Sequence, residues 1–182
     1  MNMKQIMILI TFLVYTICIM AQTNYYTTTK SFNEQGDTYQ CDVSESGFVT
    51  LYKKNNKWTY IPQKIKSTGE IFYVTAENYV PLWMEDAIGI TSDKKMEHAI
   101  NDAFVKYKEQ LEGRQIFIIT CINSDTGKID EVYFEFANFG PYACIPVSVF
   151  RELETKLVGL QYTLSPLAKT FNYVYRWEAF SF

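Results

Sequence analysis

The sequence predicts an α+β protein in which an N-terminal β-meander precedes a helix–hairpin–helix–strand unit. Three observations support this fold class. The aromatic content is 16%, which together with many Thr and Val residues favours strands. Short segments with alternating apolar and polar residues recur between turn residues in the first half of the chain. The second half contains two segments whose apolar residues repeat at helical spacing.

The N-terminus is typical of a cleavable secretory signal peptide, residues 1–21. Lys4 gives a short charged region, no charge follows between Ile6 and Met20, and Ala21-Gln22 forms the junction. A retained anchor is the alternative, but a spanning helix needs roughly 20 apolar residues and this segment is shorter. We therefore expect an exported mature chain that does not span the membrane. Its location would be the periplasm, the outer-membrane surface or the medium.

Residues 22–91 are predicted to form the β-meander, which spans about Thr23 to Thr75, and a connection. Alternation and turn residues predict four strands: residues 37–43, 48–53, 58–61 and 71–75. An extended polar leader, residues 23–35, precedes them. In the connection, residues 77–91, Pro81 and Gly89 interrupt any regular pattern.

Residues 92–182 are predicted to form the second unit, with Ser92 or Asp93 as the cap of its first helix. A hairpin of two strands follows, residues 115–123 and 128–136. A second helix has Pro146 in its first turn, and its buried face consists of Val147, Phe150, Leu153 and Leu157. A short strand, residues 161–164, precedes a long closing strand.

The hairpin from Ile118 to Ile129, with its turn Asn123-Ser-Asp-Thr-Gly127, and the segment Tyr162-Thr-Leu-Ser-Pro166 carry a family resemblance. On these residues, the region from about Met96 to Phe182 resembles the C-terminal domain of TonB, the energy-coupling protein of Gram-negative envelopes. The resemblance implies a sheet edge that can accept a strand from an envelope protein. TonB proteins keep their anchor and carry a Pro-rich spacer, so an energy transducer is not expected. The whole chain resembles the uncharacterised small secreted proteins of gut-type Gram-negative bacteria.

Charge and cysteine content restrict the classes of partner. The formal net charge is −3, and no basic surface is evident for screening phosphates, so nucleic acid is not an expected partner. Three cysteines remain after signal cleavage, Cys41, Cys121 and Cys144. They are either three buried thiols or one disulfide with one free thiol. If a disulfide forms, Cys121 with Cys144 is the expected pair.

Catalytic and metal-binding patterns are weak. His98 is the only histidine, and with Cys121 it could form a Cys–His hydrolase, but a structural histidine is the simpler interpretation. Asp125 and Asp130 flank a turn without the spacing of a calcium loop. Neighbouring acidic residues on a strand point to opposite faces and cannot act as a pair. We therefore expect no catalytic residues, no metal and no cofactor.

The closing strand carries an aromatic row, Phe171, Tyr173, Tyr175 and Trp177. These side chains either form a binding platform or pack as core beneath the two helices. We favour the core interpretation because one face of a two-layer sheet must be covered. The first functional hypothesis is a non-enzymatic interaction module of the bacterial envelope. The second is a small-ligand or glycan binder that uses exposed Tyr and Trp residues, and the third is the hydrolase.

Overall fold

The protein forms one antiparallel sheet with helices on one side. The computed structural model describes residues 23–73 and 81–182, so the predicted signal peptide lies outside the described residues. The strands are β1 (Lys30–Glu34), β2 (Asp37–Val43), β3 (Phe48–Lys53), β4 (Gln115–Ile122), β5 (Ile129–Ala137) and β6 (Val174–Ser181). The α-helices are α1 (Ala87–Phe104), α2 (Lys108–Leu111) and α3 (Val147–Leu157). Short 3₁₀ helices cover Val105–Tyr107, Pro141–Cys144 and Ala168–Thr170.

The six strands are hydrogen-bonded in the order β1-β2-β3-β5-β4-β6. Every neighbouring pair is antiparallel. The pairing of β3 with β5 joins the predicted meander to the predicted hairpin. The two halves of the chain therefore share one sheet, and β1 and β6 are its edges.

The main core lies between the sheet and the helices α1 and α3. On α3, Phe150, Leu153 and Leu157 are buried, as the sequence predicts. The Phe150 ring is parallel to the Phe136 ring of β5 at 5.2 Å between centroids. This packing covers one face of the sheet, and none of the described helices lies on the other face. Within the described residues, no helix has both the length and the hydropathy to cross a membrane.

The start of α1 differs from the prediction. The helix begins at Ala87 and not near Ser92, because the Asp86 side chain accepts hydrogen bonds from the N–H groups of residues 88 and 89. Gly89 does not interrupt it. A Cβ at this position would lie 2.9 Å from the Met84 carbonyl oxygen, so close packing of the first turn favours glycine.

Two predicted strands are absent, the described part of a third forms no strand, and one strand was not predicted. Residues 58–61 form turns, and residues 71–73 and 161–164 make only isolated bridges; residues 74 and 75 lie outside the described residues. The predicted polar leader instead contains β1. Within it, Tyr26 is fully buried and its hydroxyl donates to the Ile145 carbonyl at 2.8 Å. Tyr26 precedes β1, yet its side chain belongs to the main core. The leader therefore contributes to the core.

Candidate functional site

The face of the sheet opposite the helices is the candidate site, and we call it the open face. Its residues follow from the strand register: Asp42, Phe48, Thr50, Tyr52, Phe117, Ile119, Cys121, Tyr133, Glu135, Tyr175 and Trp177. Alternate residues of the same strands point to the helices. On β6, the side chains of Tyr175 and Trp177 are 38% and 48% exposed.

The structure divides the predicted aromatic row between two places. Phe171 precedes β6 and is fully buried in the main core. Tyr173 is also buried, but in a small cluster on the open face with Ile119 and Cys121. Tyr175 and Trp177 are exposed on the open face. The core interpretation is therefore correct for Phe171 and wrong for Tyr175 and Trp177, which lie on the side without helices.

Arg176 explains why β6 directs its aromatic residues away from the helices. Its side chain points into the helical layer, where Nη1 lies 2.8 Å from Oδ1 of Asp93 on α1. The guanidinium also pairs with Glu178. It lies 5.0 Å from the ring centroids of both Trp83 and Tyr162. These partners stabilise a charge in a position that alternation alone would assign to an apolar residue.

Residues 57–64, which we call the strap, cross one end of the open face. Their first end is fixed by the Glu131 carboxylate, which accepts hydrogen bonds from the main-chain N–H groups of Lys57 and Trp58 at 2.6 and 2.8 Å. The Trp58 ring stacks on Tyr173 at 4.8 Å between centroids. At the other end, the Gln63 side chain accepts a hydrogen bond from the Tyr175 N–H at 2.8 Å. These long-range contacts hold the strap, and its only pairing in the described residues is the isolated bridge between Lys64 and Ile71.

Tyr60 stands out in the strap because its φ is +67°. Left-handed backbone is uncommon for a bulky residue and is frequent at functional sites. The Tyr60 side chain is 62% exposed, and its hydroxyl donates to Oδ2 of Asp42 at 3.0 Å. Tyr52 donates to the same oxygen at 2.9 Å. The strap thus places an aromatic ring above the sheet.

A cleft of about 400 Å³ lies between the strap and the strands. Among its lining residues are five tyrosines: Tyr60, Tyr73, Tyr133, Tyr173 and Tyr175. A second cleft of about 550 Å³ shares Tyr60 with the first and is lined in part by Asp42, Phe48 and Thr50. Beyond the strap, the Phe117 and Trp177 rings stack at 4.7 Å between centroids. The arrangement offers aromatic faces and hydroxyl groups to a ligand.

The predicted disulfide between Cys121 and Cys144 is not present. Cys41, Cys121 and Cys144 are free thiols. Cys121 lies in the cluster on the open face, whereas Cys144 ends a 3₁₀ helix whose Tyr142 packs into the main core. The structure therefore has the alternative expected from the sequence, three unpaired thiols, with Cys41 and Cys121 buried and Cys144 partly exposed.

The residues of the hydrolase hypothesis are also separated. The His98 side chain is 81% exposed on α1, with Nε2 lying 3.5 Å from Oδ2 of Asp102. Cys121 is on the far side of the sheet, and burial raises the pKa of its thiol well above the ordinary range. A buried neutral thiol without a neighbouring base is not an activated nucleophile. Among the described residues, no group of three His, Cys, Asp or Glu side chains could hold a metal ion.

Three acidic residues, including Asp125 and Asp130 considered from the sequence, have structural roles. Asp86 caps α1, and Asp125 pairs with Lys66 at 2.7 Å. Asp130 accepts a hydrogen bond from Asn123 at 2.8 Å. In the same hairpin turn, a Cβ at Gly127 would lie 2.1 Å from the Tyr162 carbonyl oxygen, so only glycine fits at this position.

The chain is thus a two-layer α+β protein in which one face of the antiparallel sheet carries none of the described helices and is rich in aromatic residues. It belongs to the family described as a domain of unknown function (DUF5043), whose model matches residues 22–177. A crystal structure of a DUF5043 family protein from Bacteroides uniformis is similar, with a TM-score of 0.80 and 31% sequence identity. The similarity covers 87% of this chain and 94% of that chain. No curated protein matches the chain.

Proposed function

We propose that this chain is an exported, non-enzymatic binding protein of the bacterial envelope that holds its ligand against the open face. The observation that carries the proposal is the exposure of Tyr175 and Trp177 on a sheet face that none of the described helices covers. Several large aromatic side chains on one exposed face form an apolar patch, and such patches mark interaction surfaces. Tyr and Trp combine apolar contact with hydrogen bonding at low cost in side-chain entropy.

The size and lining of the cleft favour a small ligand or a glycan. A volume of about 400 Å³ lies within the range of small-molecule sites. The tyrosine hydroxyl groups could orient polar groups of the ligand, and the stacked rings of Phe117 and Trp177 provide a flat platform beside it. His98 and Cys121 lie on different sides of the sheet, which argues against the hydrolase hypothesis.

Export is supported by the predicted signal peptide and by the position of the family match. The match begins at residue 22, which is the first residue after the predicted cleavage point. A family domain that starts at this junction is consistent with removal of the preceding segment. N-terminal sequencing of the protein from its native host would test this, since a start at Gln22 is expected and a start at Met1 would contradict export by cleavage.

A thermal-shift screen of glycans, peptides and small molecules tests the binding proposal. Trp177→Ala should abolish the shift caused by a true ligand, because the platform then loses its largest exposed ring. Ile90→Ala is the matched control, since Ile90 is 47% exposed but lies on α1. Loss of binding in both variants, or in neither, would contradict the placement of the ligand on the open face.

A second candidate is strand addition at β6, for which the edge position of this strand is the specific observation. Because the Tyr175 N–H points to Gln63 and away from β4, alternation directs the main-chain groups of residues 177 and 179 outward as well. A partner's strand could pair with them. Ala179→Pro should remove an outward donor and block this pairing while sparing the open face. Binding lost in this variant but kept in Trp177→Ala would favour strand addition.

A further inference from the structure

Among the described residues, two carboxylates on the open face have no cationic partner. The register aligns Asp42 of β2, Thr50 of β3, Glu135 of β5 and Phe117 of β4 in one row across the sheet. Asp42 and Glu135 are therefore two strand spacings apart, about 10 Å. Their side chains point to the same side because this row belongs to the open face.

Glu135 lies among apolar and hydroxyl-bearing side chains. Its direct neighbours across the sheet are Thr50 and Phe117, and Tyr133 is two residues away on the same strand. Burial raises the pKa of the Glu135 carboxyl, and no positive charge offsets this effect. Among the described residues, no hydrogen bond or ion pair reaches its carboxylate. A charge in such a position is costly unless a partner of opposite charge arrives.

The Asp42 side chain is held by three hydrogen bonds, none of which comes from a cation. Its Oδ2 accepts hydrogen bonds from Tyr52 and Tyr60, and its Oδ1 accepts one from Gln40 at 2.8 Å. All three donors are neutral. Burial and the nearby carboxylates of Asp42 and Glu135 raise the pKa of Tyr60 to about 12. The Tyr60 hydroxyl therefore lies within the field of both negative charges.

Two lysines that border this region are already engaged. The Lys57 ammonium lies 4.4 Å from the centroid of the Trp58 ring at the start of the strap. The Lys53 ammonium is on the helical side, 2.7 Å from Asp37. The open face therefore combines two uncompensated negative charges with aromatic rings. The complement of such a surface is a cation with an apolar body.

We propose that the open face binds a small aliphatic polyamine, with one ammonium group at Glu135, a second at Asp42 and the carbon chain against the aromatic rings. This inference rests on the proposed function and names the class of its ligand. Two carboxylates in one row select a molecule with two charges over a molecule with one charge. The faces of the Tyr60 and Phe117 rings attract the ammonium groups, and neutral or anionic ligands gain nothing from the carboxylates.

Isothermal titration calorimetry tests this inference. The chain from Gln22 to Phe182 is titrated with spermidine, and pentylamine and 1-pentanol are the comparison compounds. Spermidine should bind most tightly, pentylamine more weakly and pentanol least. Binding of spermidine should weaken with added salt, as expected for partly exposed charges. Equal binding of spermidine and pentanol, or no binding of spermidine, would overturn the inference.

Glu135→Gln keeps the shape of the side chain and removes its charge. It should weaken spermidine binding by about tenfold or more, which is typical for loss of a charge-assisted hydrogen bond. Asp42→Asn should reduce the affinity for spermidine to that for pentylamine. Asp125→Asn is the matched control, because Asp125 is an exposed acid in the β4–β5 turn that pairs with Lys66. An unchanged affinity in Glu135→Gln would contradict the proposed position of the ammonium group.

The melting temperature separates binding effects from folding effects. Since the Glu135 carboxylate has no cationic partner, Glu135→Gln should melt at the same temperature as the wild type or higher. The proposed function can also survive failure of this inference. A glycan that binds the wild type and Glu135→Gln equally but is lost in Trp177→Ala would reject the polyamine and keep the open face as the binding surface.

Discussion

Arg176 and Trp177 are neighbours on β6 whose side chains point to opposite faces. Replacing Arg176 by Ala should mainly reduce stability, and replacing Trp177 by Ala should mainly reduce ligand binding. Arg176 is 8% exposed and is bonded to Asp93 and Glu178. Hydrogen bonds between charged groups contribute about 1.5–3 kcal/mol each. A cation–π contact contributes about 0.5–2 kcal/mol. The cost of removing the guanidinium from solvent offsets part of these gains.

Arg176→Ala should lower the free energy of unfolding by about 3 kcal/mol. This loss is at the lower limit of the range for breaking a buried pair, about 3–5 kcal/mol, because Asp93 and Glu178 retain contact with solvent. For a domain of this size, such a loss lowers the melting temperature by about 6–12 °C. Arg176→Ala should nevertheless leave ligand binding at the open face intact at a temperature where the variant is folded.

Trp177→Ala should lower the free energy of unfolding by only about 1–2 kcal/mol, because the side chain is half exposed and its main contact is the stacked Phe117 ring. Urea unfolding followed by circular dichroism measures both values. If the aromatic row instead faced the helices, Trp177→Ala would lower the free energy of unfolding by about 3–5 kcal/mol. Arg176→Ala would then change it by no more than about 0.5 kcal/mol. That reversed order would refute the assignment of faces on which the candidate site depends.

Two further predictions concern buried polar groups. Tyr26→Phe should lower the free energy of unfolding by about 1–2 kcal/mol in urea titrations, because the buried Ile145 carbonyl loses its donor; an unchanged value would mean that this contact is absent. Burial raises the pKa of Glu154, although the hydrogen bond donated by Tyr39 opposes this effect. The native state then keeps a proton that the unfolded chain releases, so stability falls as pH rises above the ordinary glutamate pKa of about 4.3. Glu154→Gln should remove this part of the pH dependence in urea titrations from pH 4 to 7, and an identical pH profile would contradict it.

Local patterns in the sequence predicted those elements that local residues determine. β2 and β3 have the predicted limits, Asp37–Val43 and Phe48–Lys53, because alternation and flanking turns are enough to define short strands. The buried face of α3 was predicted for a similar reason, since its apolar residues repeat at helical spacing. The signal peptide stays a prediction.

The candidate site was predicted only in part, because its geometry depends on distant residues. The aromatic row of the closing strand was recognised, but its direction was not. That direction is set by the partners of Arg176 on α1 and in the segments around Trp83 and Tyr162. Alternation identifies the two faces of a strand but does not indicate which one meets the helices, and an arginine among the core-facing residues suggests the wrong answer.

The strap and the two carboxylates were missed for a related reason. The strap depends on Glu131, whose carboxylate binds main-chain N–H groups more than 70 positions earlier in the chain. Glu135 is significant only because the sheet places it in one row with Asp42 and Phe117. The one local signal was the density of tyrosines in both regions, which indicates an aromatic surface without giving its shape.

Hydroxyl-radical footprinting with mass spectrometry, without and with spermidine, tests the open face most directly. In the free protein, Trp177 and Tyr175 should be oxidised rapidly, whereas the buried Phe171 and Tyr26 should be protected. Saturating spermidine should protect Tyr60, whose hydroxyl is hydrogen-bonded to Asp42, and leave the exposed Phe139 unchanged. Slow oxidation of Trp177 in the free protein, or unchanged oxidation of Tyr60 at saturation with spermidine, would contradict an aromatic face that is open and binds its ligand there.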